Sequence, residues 1–424
     1  MRRNLGWLLG GRGFQAAASL VYLGLVARAL GAEGFGQFTL VLAYGEAIAN
    51  LAQFQSWQTV IRYGALHRAG GNRGRLNRLL GFTATLDGAS AIAGAMVACG
   101  GAALIAPLLG WSAGERQIAA IFGGVLLLSI GATPTGILRL HDRFDLVTFT
   151  QAIAPLVRLV GAGLGWAMGF GIVGFLAVWA SSALLQSAVT WAAALAGPDC
   201  KPVLGWRRLM VARRENRGIL RFMLVTNLSS TLNYLPDQIA TLAIGGVGGA
   251  ATAGGYRLAS KLARSLSRPV QLLVVVIFPE FARLTAERNQ AVLARVTARA
   301  DRMAAILALV FAAAMGLAGP WLLQLVSGIA YPDAGTLLLL FALASAIQLS
   351  GFALEPLLTA YGRPDRVLSV RAGGALFFLM LLAVLLPLIG PIAAAWAAIG
   401  SALLVRIRLA LAVRTITRSK SGRA

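Results

Sequence analysis

Acidic residues, histidines and cysteines are scarce in this chain of 424 residues, which has 15 Asp and Glu against 38 Lys and Arg. His67 and His141 have no histidine or cysteine neighbours at the spacing of metal ligands, so we expect no metal site. We expect no disulfide either, because Cys99 lies in an apolar run and Cys200 lies among cations. The sequence has no Gly-x-x-x-x-Gly-Lys-Ser/Thr loop, which excludes a built-in P-loop ATPase.

Charged residues of both signs make up only 12% of the chain, and hydrophobic residues make up 58%. Soluble domains average about 25% and about 45–50% respectively, so this composition is not that of a soluble enzyme. A membrane-spanning helix needs ~20 apolar residues, and the chain has room for about a dozen. The apolar stretch after Arg2 and Arg3 runs to about Leu30, which is too long for a signal peptide, so we expect no removable leader.

Twelve membrane-spanning helices are predicted from the apolar runs. They cover residues 8–30, 36–61, 80–106, 117–138, 146–168, 172–196, 219–244, 255–278, 303–325, 336–360, 372–389 and 391–413. Gly390, between Pro387 and Pro391, predicts a tight turn before the last span. Nearly all loop cations follow even-numbered spans, and Arg116 is the one cation in the opposite loops. By the positive-inside rule we expect both termini in the cytoplasm, and the basic charge indicates topology rather than nucleic-acid binding.

Two pairs of short motifs indicate an internal duplication. Residues 36–40 (Gly-Gln-Phe-Thr-Leu) follow the first span, and residues 254–258 (Gly-Gly-Tyr-Arg-Leu) follow the seventh, about half the chain later. Arg143-Phe144-Asp145 and Arg363-Pro364-Asp365 follow the fourth and tenth spans at nearly the same offset. The fold predicted is therefore an all-α polytopic membrane protein with two parallel-repeat six-helix bundles. The bundles would cover 1–196 and 219–424, joined by a basic cytoplasmic linker at 197–218, and the second would end in a cytoplasmic tail.

Charged residues inside the predicted spans need a reason, because a charge near the bilayer centre costs at least ~2.5–3.5 kcal/mol on insertion scales. Apart from Arg221, Arg406 and Arg408, which we assign to the cytoplasmic loop and tail, the cations are Arg12, Arg28, Arg158, Arg257, Lys261, Arg264 and Arg268, and the acids are Glu46, Asp87, Asp237 and Glu355. The last four cations, in span eight, are spaced by four, three and four residues, which places them on one helix face. We interpret this cationic stripe (Arg257, Lys261, Arg264 and Arg268) as the lining of a wet cavity for an anion. The alternative is that span eight starts later and these residues form a loop with a snorkelling end.

The remaining intramembrane charges divide into cavity candidates and acids. Arg158 lies deep in span five after Pro155, and Arg12 lies one to two turns inside span one, so both are candidate substrate contacts; Arg28 is expected to snorkel to the outer headgroups.

Asp237 follows Pro236, which would loosen the helix, and an acid beside such a helix break suits a hinge, a coupling-ion site or a salt-bridge partner for the stripe. Glu46 shares a polar face with Asn50, whereas Asp87 and Glu355 stand more alone. Each acid is either a coupling site for a proton or sodium ion or a structural residue. Residues 283–299 predict an amphipathic connector on the anionic inner leaflet rather than a nucleic-acid helix.

Three segments carry a resemblance to a known family. Residues 28–38 (Arg-Ala-Leu-Gly-Ala-Glu-Gly-Phe-Gly-Gln-Phe) resemble the first-loop signature of bacterial polysaccharide-export flippases. These flippases belong to the multidrug/oligosaccharidyl-lipid/polysaccharide exporter superfamily. The pattern from Asp237 through Ile244-Gly245 and Gly255-Tyr256 to Ala259 and Lys261-Leu262 is similar to theirs, as are Gly328, Tyr331 and Ala334.

This resemblance implies a V-shaped pair of bundles around a central cavity in the bacterial inner membrane. It implies no enzyme activity. It implies that an undecaprenyl-pyrophosphate-linked oligosaccharide moves from the cytoplasmic to the periplasmic leaflet by alternating access. The implied partners are the anionic glycan lipid, membrane lipids and a glycan polymerase or export machinery.

Three other functions stay open on the sequence alone. A gradient-driven drug or metabolite exporter of the same superfamily would use an acid-dominated site, whereas here cations outnumber acids within the spans. A membrane glycan polymerase or ligase would need a large outward loop, and no such loop is predicted. A flippase-like scaffold that does not transport would not explain why cations lie within the membrane spans.

Overall fold

The computed structural model describes residues 2–197, 202–203, 206–286, 290–329, 334–361 and 363–421. Side chains are described for fewer residues, and those of Arg12 and Arg268 lie outside this set, as does the whole of Tyr331. The regular structure in the described ranges is helical throughout, without a strand. This agrees with the predicted all-α class, and it follows from the apolar sequence, because a helix satisfies every interior backbone hydrogen bond within its own segment.

The helices are as follows. The first eight are α1 Arg2–Ala52, α2 Ser56–Ala69, α3 Arg73–Leu109, α4 Ala113–Leu127, α5 Ala132–Leu140, α6 Phe144–Ala167, α7 Ile172–Leu195 and α8 Trp206–Glu215. The others are α9 Ile219–Ala286, α10 Gln290–Ser327, α11 Ala334–Leu349, α12 Leu354–Ala360, α13 Pro364–Ile389 and α14 Ala393–Ser421. A 3-10 turn, Gly390–Ile392, joins the last two.

Single glycines turn the chain between consecutive predicted spans. Gly31 in α1 has φ 70° and ψ −179°, and Gly249 in α9 has φ 81° and ψ 171°. Gly390 has φ 66° and ψ −153°, which confirms the turn predicted there. This region of backbone space is essentially restricted to glycine. The offset from Gly31 to Gly249 equals that of the duplicated motif beside them.

The second pair of motifs also has matching backbone geometry. In the first half, the backbone N–H of Arg143 donates to the carbonyl of Leu138 at 2.9 Å, just before α6. In the second half, the N–H of Arg363 donates to the carbonyl of Leu358 at 3.0 Å, just before α13. The fourth predicted span is broken in both halves, between α4 and α5 and between α11 and α12. The two halves therefore repeat the same succession of turns and breaks.

The chain forms two compact units, Met1–Leu242 and Ala243–Ala424. In the first unit α1 packs against α4 and α6, and α6 packs against α7. In the second, α14 packs against α11 and α13, and α10 packs against α11. The division falls inside α9, so that the seventh predicted span groups with the first unit. The bundle boundary at 197–218 stays a prediction.

Eight helical stretches in the described part of the chain are long and apolar enough to cross a bilayer. Two of them, Ala17–Ala69 and Asp365–Thr415, are 53 and 51 residues long and contain the turns at Gly31 and Gly390. Each is long enough for two crossings at 1.5 Å per residue. The chain is a multi-pass membrane protein, and the count of twelve spans stays a prediction.

The linker contains a docked helix that the sequence did not predict. Leu209 and Ala212 of α8 pack with Leu79 and Phe82 of α3. Glu215, at the end of α8, accepts two hydrogen bonds from the guanidinium of Arg78, at 3.1 and 2.5 Å. These bonds hold the pKa of the Glu215 carboxyl below its usual range. The linker helix is thus fixed to the first unit by apolar packing and by an ion pair.

Acid should loosen α8, because the stabilising contribution of a carboxyl with a lowered pKa is lost as the pH falls through that pKa, below roughly 4.3. Glu215→Gln should remove this pH dependence and increase amide exchange in residues 206–215 about two- to fivefold at neutral pH. Amide hydrogen exchange with mass spectrometry measures both effects. Glu115→Gln, in the capping box of α4, is the control, and unchanged exchange in Glu215→Gln would show that the ion pair does not hold α8.

Gly31→Ala tests the backbone turn alone, because a Cβ there would have no neighbour within 4 Å. Backbone strain in this variant should lower the free energy of unfolding by about 1–3 kcal/mol and should lower the apparent Tm in detergent. Gly163→Ala in the helical interior of α6 also meets no atom within 4 Å, and it should leave Tm unchanged or raise it. Equal Tm values for the two variants would contradict the strained turn.

Candidate functional site

The cationic stripe lies on one continuous helical segment, which begins after Gly249 and runs to the end of α9 at Ala286. The stripe is therefore helical rather than part of a loop, and the point at which span eight enters the bilayer stays a prediction. Arg257 is buried, with 1% of its surface exposed, Lys261 is half-buried and Arg264 is exposed. Arg268 continues the helix, and its side chain lies outside the described residues. Positive charge thus extends along the helix from the interior of the second unit to its surface.

Apolar packing fixes the buried end of the stripe. Tyr256 is fully buried, and its ring meets the ring of Phe341 of α11 edge-on, with 5.5 Å between the centroids. Ala259 and Ala263, on the adjacent turns, are fully buried as well. These contacts orient the helix and therefore fix the direction in which Arg257 enters the core.

Arg158 lies inside the first unit, on α6, and it has an aromatic neighbour. Its Nε donates to the hydroxyl of Ser182 at 2.8 Å, and its guanidinium lies 3.5 Å from the centroid of the Trp179 ring. The Trp179 ring in turn lies 5.5 Å from the ring of Tyr22. A guanidinium on the face of a tryptophan is a cation–π contact worth ~2 kcal/mol when desolvated. Arg158 is thus a fixed cation within its unit.

Glu46 and the first half of α9 are joined by hydrogen bonds. The side-chain amide of Gln238 donates to Glu46 at 2.9 Å, and the hydroxyl of Thr231 donates to the carbonyl of Asn50 at 2.9 Å. Asp237 is buried, with 8% of its surface exposed. Pro236 does not interrupt α9, which is non-helical only at Gly249, so the expected helix break there is wrong.

Asp87 and Glu355 do not stand alone, and this corrects the sequence-based interpretation. Asp87 is buried and accepts hydrogen bonds from the hydroxyl of Ser56, from the hydroxyl of Thr133 at 2.7 Å and from the backbone N–H of Thr133 at 3.2 Å. Glu355 forms an ion pair with Arg371 at 2.8 Å. Both acids have partners that account for their positions in the fold.

The remaining predicted residues are placed as follows. Arg28 is exposed near the Gly31 turn, and Arg12 lies on α1 with its side chain outside the described set. Residues 290–299 of the predicted connector belong to α10, where Val292 and Val296 pack against Ala353 and Leu357. That part is therefore an extension of a long helix, with one face buried, rather than a separate surface helix.

Asp301 and the aromatic partners of Arg158 are not evident from the sequence pattern. Asp301 lies on α10 and accepts a hydrogen bond from the backbone N–H of Ala353 at 3.3 Å. The predicted ninth span begins at residue 303, which leaves this acid outside it. Trp179 and Tyr22 carry no charge, and the sequence does not distinguish them from other aromatic residues of a membrane helix.

Comparisons with known proteins give the family and the fold. Residues 1–285 match the family model described as polysaccharide biosynthesis protein. The inner membrane protein YghQ of Escherichia coli (strain K12) is 28% identical over 338 residues, which cover 78% of this chain and 94% of YghQ.

Two solved structures share the fold. An inward-facing multidrug resistance MATE family transporter of the MOP superfamily aligns with a TM-score of 0.75 at 14% identity, over 98% of this chain and 96% of that one. The lipid II flippase MurJ, in an inward closed conformation, aligns with a TM-score of 0.67 at 13% identity, over 94% and 86%.

The comparisons confirm the resemblance read from residues 28–38 and from the pattern across spans seven and eight. The family match covers more than half of the chain, and the fold match extends over nearly all of it. The chain therefore has the helical fold of these two solved structures and belongs to the family of polysaccharide biosynthesis proteins.

Proposed function

We propose that this protein is a transporter that moves an undecaprenyl-pyrophosphate-linked oligosaccharide from the cytoplasmic to the periplasmic leaflet of the inner membrane. The observation that carries the proposal is the cationic stripe on α9, which runs from buried Arg257 through half-buried Lys261 to exposed Arg264. Membership of the polysaccharide biosynthesis family supports a glycan substrate.

A row of cations suits a pyrophosphate head group. The head group and its sugars do not cross hydrocarbon unaided, because the transfer of charged phosphates and hydroxyls from water into hydrocarbon has a large free-energy cost. Guanidinium groups bind phosphate oxygens with two parallel N–H donors, and an ammonium binds them as a point charge. Arg264 would meet the substrate first, with Arg268 beside it, and Lys261 and Arg257 would extend the positive field inward. Arg158 and Arg12 are the proposed contacts on the first unit.

Transport would proceed by alternating access, with the two bundles rocking while the lipid tail stays in the bilayer. A proton or sodium gradient is the proposed energy source. We assign coupling to two of the four intramembrane acids: Asp237 is buried on the first half of α9, and Glu46 lies beside it and accepts a hydrogen bond from Gln238. Membrane lipids and the polymerase or export machinery for the same glycan are the proposed partners.

The second candidate is a gradient-driven exporter of drugs or metabolites. The fold shared with a multidrug MATE transporter, at a TM-score of 0.75, favours it. Purified protein in proteoliposomes distinguishes the two candidates when a fluorescent undecaprenyl-pyrophosphate oligosaccharide and a cationic dye are offered in parallel, with and without a proton or sodium gradient. Leaflet transfer of the glycan lipid supports the flippase, and accumulation of the dye alone overturns it.

Arg264→Ala should lower the initial rate of glycan-lipid transfer about tenfold or more, because a charge-assisted contact to phosphate is lost. The side chain is exposed, so that folding and Tm should stay unchanged. Arg264→Lys should recover part of the rate, since it keeps the charge and loses the two-pronged geometry. The assay is the same proteoliposome transfer.

Arg299→Ala is the matched control, because Arg299 is an exposed cation of the same unit that lies outside the stripe. Its rate should equal that of the unmodified protein. Equal rates for Arg264→Ala and Arg299→Ala would remove the stripe from the substrate path.

Arg158→Ala should lower the transfer rate by about tenfold, and Arg158→Lys by about threefold, because lysine keeps the charge without the planar group that stacks on Trp179. Transfer rate and Tm are measured together for each variant. A lower Tm with an unchanged rate would assign Arg158 to the fold of the first unit alone.

A further inference from the structure

The fourth predicted span is broken in each half, and an acid from a neighbouring helix lies at each break. Asp87 of α3 accepts from the backbone N–H of Thr133, at the start of α5, at 3.2 Å. Asp301 of α10 accepts from the backbone N–H of Ala353, just before α12, at 3.3 Å. The offset from Thr133 to Ala353 equals the offset between the duplicated motifs that follow them, at Arg143 and Arg363.

The two acids do not lie at the offset of the duplicated motifs. The offset from Asp87 to Asp301 is shorter than the offset from Thr133 to Ala353, and the loop before α11 is longer than the loop before α4. A carboxylate nevertheless accepts at the equivalent N–H in both halves. Since an unsatisfied backbone group is costly at membrane depth, each break needs an acceptor or donor from a neighbour.

Asp87 also holds a second broken helix. Ser56 is the first residue of α2, which follows the interruption after α1, and its hydroxyl donates to Oδ1 of Asp87. The hydroxyl of Thr133 donates to Oδ2 at 2.7 Å. Ser56 and Thr133 are fully buried, and 4% of the Asp87 surface is exposed. One carboxylate therefore fixes the starts of both α2 and α5.

Helices α2 and α5 pack tightly against each other, so we expect them to move together. Gly136 of α5 lies against Val60 and Trp57 of α2 so closely that a Cβ would stand 2.8 Å from the Val60 side chain. Val60 and Ile137 belong to one buried apolar cluster with Leu76 of α3. The pair α2–α5 is thus packed internally and hydrogen-bonded at one end to Asp87.

We propose that Asp87 and Asp301 are paired positioning residues for transport: each holds the segment that follows the helix break in its unit. Together they set how far the ends of the two bundles can tilt in the alternating-access cycle. This inference rests on the proposed function. Asp87 acts through α2 and α5, and Asp301 acts through α12; neither contacts the substrate.

The bonds to Asp87 can be separated by substitution. Asp87→Asn keeps the shape but removes the negative charge, so that the bonds to both Ser56 and Thr133 lose their charge assistance. Ser56→Ala removes only the bond to α2, and Thr133→Val removes only the side-chain bond to α5. Asp145→Asn is the control, because Asp145 lies in the first turn of α6 and pairs with Arg143 at the surface.

Amide hydrogen exchange of the full-length protein in nanodiscs measures, without any substrate, how firmly Asp87 and Asp301 hold their segments. Asp87→Asn should increase exchange about tenfold in residues 56–60 and 133–137, because charge-assisted bonds are about twice as strong as neutral ones. Ser56→Ala should affect only the first stretch, and Thr133→Val only the second. Asp301→Asn should affect residues 353–360 and leave α2 and α5 unchanged, as should Asp145→Asn.

Transfer kinetics in proteoliposomes then separate positioning from a merely structural role. The acid variants should lower kcat about tenfold while KM for the glycan lipid stays within about twofold, because the binding cations are untouched. Faster exchange with an unchanged kcat overturns the proposal, as does a lower kcat with unchanged exchange.

If Asp87→Asn does not fold, the single-bond variants Ser56→Ala and Thr133→Val decide the outcome by the same criteria. If the unmodified protein transfers no glycan lipid, the proposed function fails. The kinetic criterion is then applied to the substrate that the protein does move. The exchange patterns test independently whether Asp87 and Asp301 hold their segments.

Discussion

Backbone hydrogen bonding inside hydrocarbon is the constraint on which this structure depends. A helix within the bilayer satisfies its own N–H and C=O groups, and every interruption exposes groups that water would otherwise bind. The helices of this chain are interrupted at several points, and the interruptions are of two kinds. Gly31, Gly249 and Gly390 reverse or bend the chain in a single residue, which leaves few groups exposed. The breaks at α5 and α12 are longer, and an aspartate from a neighbouring helix accepts a hydrogen bond at each one.

Charged side chains within the helices have several kinds of surroundings. Asp87 bonds two helix starts, Glu355 pairs with Arg371, and Arg158 stacks on Trp179. The cost of burying these groups is offset by local structure. The stripe on α9 extends from a buried to an exposed residue along one helix. Its charge therefore reaches the surface of the unit, where a substrate can meet it.

The sequence predicted the features that local pattern determines. Apolar runs predicted an all-α membrane fold, Gly390 predicted a turn, and repeated motifs predicted the duplication that appears in the backbone at Gly31 and Gly249. It did not predict the partners of Asp87, because Ser56 and Thr133 are distant from it in the sequence and meet it only through tertiary packing. Asp301 was missed because the hydropathy profile places it outside a span. Pro236 was expected to break a helix, but membrane helices tolerate proline where neighbouring groups satisfy the freed carbonyl.

Both halves of the duplication have the same interaction at the break in the fourth predicted helix. In each unit a carboxylate from a neighbouring helix accepts from the backbone N–H at the start of the segment that follows the break. The two acids do not lie at the offset of the two N–H groups, and the loops before α4 and α11 differ in length. Because an unsatisfied N–H at membrane depth is costly, each break requires an acceptor, whichever position of the neighbouring helix supplies it. Asp87 and Asp301 meet that requirement separately in the two units.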